Sequence, residues 1–201
     1  MRKITGPLRR RCTRTRTRLT AIAPRSRSAG CAGAALLLLA CAASRAAAQD
    51  VGPPLGSTPA PVVLEDLDGR PVDLADHIGR RPLFLEFWAT WCPLCAGLQP
   101  RIDAAHERFG DRVQFLTIAV GVNQSRRSVR RHHERHPLAG LVLWDGQGRA
   151  TRAFMAPTTS FIVILDRDGK VVYTGVGADQ RFEAALERVA SPPAAPAGPR
   201  D

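Results

Sequence analysis

The chain has 201 residues, which allows one domain with tails, and 44% of them are apolar, enough for a real core. Its formal net charge of +11 invites a nucleic-acid reading, and the distribution of charge removes it. Eleven Arg and Lys residues and no acid precede Gln49; beyond it, 18 basic residues stand beside all 18 acidic ones, so the basicity belongs to the first segment alone.

Residues 1–48 read as an export signal. Met1 to Ser28 is Arg-rich, Ala32 to Ala43 is apolar with four leucines at its centre, and Ala46-Ala47-Ala48 offers the small-x-small pattern of a signal-peptidase site. The apolar run falls short of the roughly 20 residues a spanning helix needs. Cleavage near Ala48 is expected, leaving a protein in the periplasm or on the extracytoplasmic side of a membrane. Two alternatives stay open: an uncleaved signal anchor, or a lipobox at Leu38-Leu39-Ala40-Cys41 with Cys41 acylated, although Leu39 fits that motif weakly. Membrane contact is expected only in those two cases. Arg9-Arg10-Arg11 also matches twin-arginine export, a run that any Arg-rich segment yields by chance.

Cleavage removes Cys12, Cys31 and Cys41 and leaves Cys92 and Cys95 as an isolated pair. Exported thiols meet an oxidising environment. A disulfide across a two-residue gap closes too small a loop to brace a fold well. The pair is therefore suited to cycling.

In chain order, residues 49–60 are rich in Pro, Gly and Ser and read as a linker. Val62 to Leu64 and Pro71 to Leu74 form a candidate hairpin around Asp68-Gly69, and Leu74 to Ile78 a helical turn. Leu83 to Trp88 is apolar on both faces, as a buried central strand requires. Pro93 to Phe109 has helical periodicity in Leu98, Ile102, Ala105 and Phe109, with Pro93 at the first position and Pro100 expected to kink it. Val113 to Val120 is a second buried strand. Ser125 can cap a helix that runs to Arg135 and stops before Pro137. Leu141 to Trp144 is a short strand, Ala150 to Met155 one or two helical turns, and Phe161 to Leu165 with Lys170 to Gly175 a hairpin on Asp168-Gly169. Phe182 to Val189 is an amphipathic helix, and residues 191–201 read as a disordered tail. Parallel units followed by an antiparallel hairpin predict an α/β domain over 61–190, a mixed central sheet flanked by helices with an N-terminal β-hairpin extension.

Phe87-Trp88-Ala89-Thr90-Trp91-Cys92-Pro93-Leu94-Cys95 joins the central strand to the first helix. This segment resembles the active site of thioredoxin-fold proteins, and its Trp-Ala-Thr-Trp-Cys form is most similar to the TlpA/ResA-like exported disulfide reductases. The likeness extends over roughly Pro61 to Ala190 and implies a thioredoxin-like fold. It implies a thiol–disulfide oxidoreductase without cofactor or metal, acting on client proteins with disulfides and re-reduced by a membrane-bound thiol donor. Nucleic acid is not an expected partner.

The chemistry also follows from the residues. Cys92 stands where a helix begins, and unpaired N–H groups with the helix dipole favour a thiolate there. It is expected to attack a client disulfide, with Cys95, one turn inward, resolving the mixed disulfide. Trp91, Pro93 and Leu94 form the expected docking ground. Glu86 lies in a strand that otherwise reads as buried, a costly place for a carboxylate. It stands six residues before Cys92, where thioredoxins carry a buried acid, so the resemblance implies proton transfer with Cys95; the plain alternative is a wet edge or an arginine partner. The family's glutamate three residues after the second cysteine is Leu98 here. The family also places a cis-proline opposite the cysteines. Either Pro157 fills that role, or Ser160, which the register from Asp168-Gly169 indicates, replaces it with a trans peptide. Both are candidate client-binding residues.

His132 and His136 share a helix face at metal-ligand spacing, but five arginines crowd the same helix, so a solvated basic face that could dock an acidic partner is expected and no metal site is. Trp88 and Trp144 read as core. Two competing functions use the same scaffold: a copper metallochaperone with Cys92 and Cys95 as soft ligands, and a redox-inert binding module.

Overall fold

The computed structural model describes residues 51–191. The expected leader over 1–48 with Cys41, and residues 192–201 of the expected tail, lie outside the described residues.

One seven-stranded sheet organises the described chain, in the order β2-β1-β5-β4-β3-β6-β7. β3 (Leu83–Trp88) is an interior strand, parallel to β4 (Gln114–Val120) and antiparallel to β6 (Phe161–Leu165). β4 pairs in parallel with β5 (Leu141–Asp145), and β6 turns back into β7 (Val171–Val176). The parallel pairs need long crossovers, supplied by α1 (Pro93–Phe109) and α2 (Arg126–Arg135). The short α3 (Arg149–Ala153) and the closing α4 (Glu183–Ala190) complete the layers. The fold is thioredoxin-like with a mixed sheet, as the segment order implies.

Apolar residues on both faces of β3 separate into two cores. Phe84 packs with Leu98 and Ile102 of α1, Phe115, and Phe182 before α4. Its ring stacks on Phe115 at 4.7 Å and meets Phe182 edge-on at 5.5 Å. Leu85 and Phe87 point to the opposite face, with Leu116, Ile118, Phe154 and Val129 of α2. Burying each of these side chains is worth about 1.5–3 kcal/mol. α1 runs as one element through Pro100, which lies on its exposed side.

The N-terminal hairpin, β1 (Val63–Asp66) and β2 (Pro71–Asp73), adds antiparallel to the free edge of β5. A single 3-10 turn, Leu74–Asp76, follows it, capped by Asp73. Two arginines of α2 hold the hairpin down. Arg126 pairs with Glu65; Arg130 pairs with Asp68 at 2.9 Å and donates to the Leu67 carbonyl. Ser125 and Ser128 form a reciprocal capping box that starts α2. The basic helix is thus partly a clamp rather than a wholly solvated face. No helix among the described residues is long and apolar enough to cross a membrane.

Candidate active site

β3 ends at Trp88, and the turn Ala89 to Trp91 delivers Cys92 to the N-cap of α1. Cys92 and Cys95 are joined as a disulfide, their Cα atoms 5.3 Å apart. The Cys92 sulfur accepts the Cys95 N–H at 3.1 Å, so a backbone donor already points at the atom that carries charge once the bond is reduced. Pro93 sits at the start of α1, where its missing N–H leaves nothing unpaired, and no acid stands in the first turn to oppose a thiolate. Cys92 is 6% exposed and Cys95 fully buried, which separates an attackable sulfur from a shielded one.

The turn before Cys92 is held from the β4–α2 loop. Gln124 accepts from both the N–H and the hydroxyl of Thr90 at 2.9 Å, and its own amide donates to the Val120 carbonyl at 2.6 Å. Trp91 Nε1 donates to the Val122 carbonyl at 2.7 Å, which fixes the indole while 46% of the residue stays exposed. Val122, which takes that bond, and Leu94 of α1 are also exposed. A cavity of about 420 Å³ opens between Trp91, Val122, Gly146 and Pro157.

The opposite wall is built by the approach to β6. That strand begins at Phe161, so Ser160 is the residue that enters it; Ser160 is fully buried with φ of +57°, in the left-handed region. Its carbonyl accepts the Gly177 N–H at 3.2 Å and the Gln180 amide at 2.8 Å, while its hydroxyl has no partner. Arg101 of α1 holds the loop carrying Gln180 through the carbonyls of Ala178 and Gln180. Pro157, exposed three residues earlier, lines the cavity beside Trp91. All peptide bonds among the described residues are trans.

Glu86 lies on β3, two residues before its end at Trp88. It pairs across β3 with Thr117 and Ile162 and shares the sheet face of Phe84, toward α1. It is 1% exposed, and neither carboxylate oxygen has a hydrogen-bond partner. Burial, reinforced by the charge of Asp103, pushes its pKa up to about 8, so in the disulfide form it holds a proton at neutral pH.

Residues 54–189 match the model of the Redoxin family. The chain belongs to that family. Within it the chain is a TlpA/ResA-like thioredoxin-fold protein. It is 30% identical over 138 residues to the thiol-disulfide oxidoreductase ResA of Geobacillus thermodenitrificans (strain NG80-2), covering 67% of this chain and 78% of that one. It is 26% identical over 129 residues to the protein of the same name from Halalkalibacterium halodurans, covering 63% and 72%. Among solved structures it superposes on the exposed lipoprotein thioredoxin Etrx1 of Streptococcus pneumoniae strain TIGR4 with a TM-score of 0.55 and 25% identity, covering 65% of this chain and 98% of that one. StoA of Bacillus subtilis gives a TM-score of 0.54 at 20% identity, covering 64% and 96%, a likeness of fold.

Several residues that shape this Redoxin-family site carry no motif. Gln124, Gln180 and Arg101 act through loops whose neighbours the sequence does not reveal. Asp145, which precedes Gly146, is buried at the end of β5, where it accepts from Ala150 and Thr151 and starts α3. Gln99 donates to Asp103 at 2.8 Å with its own carbonyl oxygen buried and unpartnered. Trp88 is core as expected, and Trp144 is half-buried against it. His132 packs on Trp88 at 4.9 Å, and its pKa is lowered by burial first and then by His136, Arg135 and His133.

Proposed function

We propose that this Redoxin-family protein is an exported reductase of disulfides in client proteins. Thiol–disulfide exchange is its chemistry; the direction and the clients are our reading. The observation that carries it is a dithiol divided into a partly exposed Cys92 and a buried Cys95, with a buried Glu86 that has no hydrogen-bond partner on the adjoining strand.

In the reduced protein, the Cys92 thiolate attacks one sulfur of a client disulfide. The Cys92–client bond forms, the client bond breaks, and the client's other sulfur leaves as a thiolate. Cys95 gives its proton to the Glu86 carboxylate and attacks the Cys92 sulfur. The Cys92–Cys95 bond forms and the second client thiolate departs. Two electrons have passed to the client, and both client thiolates take protons from water. The state left behind is a disulfide with Glu86 neutral, which is the protonation that burial of this carboxyl favours. Re-reduction by a thiol donor, which we place at the membrane, runs the steps backward, with Glu86 returning its proton to Cys95.

The leader, whose basic and apolar blocks fit secretion, supports the exported location in this reading. Pro93 and Leu94 between the cysteines supply no cation to stabilise the thiolate further, which favours a reductant over a strong oxidant. Trp91, Leu94 and Pro157 border the expected client path.

Insulin reduction driven by dithiothreitol tests the assignment. Wild type should accelerate it, Cys92→Ser should abolish the acceleration, and Cys95→Ser should accumulate a mixed disulfide. Variants that match wild type would sink the reading. Stoichiometric Cu(I) binding by the reduced protein with no disulfide turnover would favour the metal-carrier alternative.

A further inference from the structure

We infer that the groove between Cys92 and the last turn of α2 receives an acidic stretch of the client chain next to its disulfide. This rests on the reductase reading and adds the chemistry of the partner. The groove is a cavity of about 290 Å³ lined by Thr90, Cys92, Gln99, His132, His136 and Leu138 among others. It shares no lining residue with the larger cavity beside Trp91, and Cys92 lines this one only. A client sulfur bonded to Cys92 therefore lies at the mouth of this groove, and the chain next to it has the basic flank of α2 alongside.

The charge of that flank is one-sided. Of the five arginines of α2, Arg126 and Arg130 are engaged by Glu65 and Asp68. Arg127, Arg131 and Arg135 are exposed, and none has a carboxylate in ion-pair range among the described residues. They recur at i, i+4 and i+8, one row on the helix surface. His132 and His136 form the neighbouring row, with ring centroids 5.2 Å apart, and it is this row that lines the groove. Glu134, the one acid of α2, is turned about 200° from His132 around the helix axis. No acid lines the groove. The nearest carboxylate along α1 that the groove's residues touch, Asp103, is taken by Gln99 at 2.8 Å. The positive end of the α1 dipole adds to the same field. An anionic segment gains from the arginine row and the α1 helix end, whereas a basic one is repelled by both.

Short peptides closed by one disulfide and flanked by Glu, Ala or Lys test this against the reduced full-length protein. The Glu peptide should be reduced about tenfold faster than the Lys peptide at low salt, expressed as second-order rate constants. The gap should close to under about twofold in 0.5 M salt, because both partners are exposed. An Arg131→Glu/Arg135→Glu double variant should abolish or invert the order. Arg80→Glu/Arg167→Glu, at the opposite end of the sheet, should leave it unchanged. Equal rates for the three peptides, or a preference that survives the double variant, overturns the inference. So does binding of the arginine row to phosphatidylglycerol vesicles with equal peptide rates, which would make it a membrane contact. Uncharged hydroxyethyl disulfide is the control: a wild type that cannot reduce it has lost the reductase reading itself, whereas normal reduction with no peptide preference removes only the groove.

Discussion

Glu86 and Asp145 are each 1% exposed, and they stand on the two strands that flank β4. Asp145 accepts the Ala150 N–H at 3.2 Å, and the Thr151 N–H and hydroxyl at 2.8 Å each. Glu86 accepts nothing. The first carboxylate has exchanged its water for three protein donors and serves to start α3. The second has lost its water without replacement, and the proton takes the place of the missing donors. Equal burial thus leaves the two acids in opposite states of hydrogen bonding, one fully partnered and one without any partner.

The largest expected effect follows from that contrast. The unfolded chain releases the Glu86 proton near its ordinary pKa of 4.5, and the folded chain keeps it until about 8. Between those values the folded state binds the extra proton, so stability should fall as pH rises through this window and level off above it. The fall should reach roughly 3–5 kcal/mol. Glu86→Gln should flatten this slope, and it should also slow resolution of the mixed disulfide by about tenfold to a hundredfold. Urea titrations from pH 5 to 9 and a stopped-flow assay measure the two. Parallel pH profiles in wild type and variant would mean that Glu86 is charged and solvated at neutral pH.

Asp145 should behave in the opposite way. Asp145→Ala strands the Ala150 and Thr151 donors and should cost about 3 kcal/mol. Asp145→Asn, which keeps one acceptor, should cost about half of that. Neither should change the rate with a small uncharged disulfide. A cost under about 0.5 kcal/mol, the level of an exposed substitution, would show that the three donors find water instead.

The difference in legibility between these two acids is physical. Glu86 interrupts Leu83-Phe84-Leu85-Phe87-Trp88, so its burial is written in the run around it. Asp145 precedes Gly146, a pair that reads equally well as an exposed turn, and its donors lie five and six residues ahead. The cysteine pair, α1 and the β6–β7 hairpin were readable because local spacing and turn chemistry define them. The docking of the N-terminal hairpin on β5 was not, because it depends on Arg126 and Arg130 of a helix whose composition suggests only solvent. The approach to β6 was half-readable: Pro157 and Ser160 both stand out in sequence, and the start of β6 at Phe161 puts Ser160, not Pro157, at the entry to the strand.

Gln124 sharpens the comparison at its weak end. Like Asp145 it is a polar side chain with every strong bond satisfied, but it lies against the redox turn, accepting from Thr90 twice and donating to Val120. If satisfied polar groups brace and orphaned ones react, Gln124→Ala should cost only about 1–2 kcal/mol of stability and leave the proton chemistry alone. Its local effect should be larger than its global one. The Thr90 amide should exchange with solvent about tenfold faster by NMR, because its acceptor is gone while the sheet beneath is intact. Trp91 keeps its own bond to the Val122 carbonyl, so its fluorescence should shift little. A pH–rate profile displaced from that of wild type would break the distinction, since a brace would then be tuning Glu86.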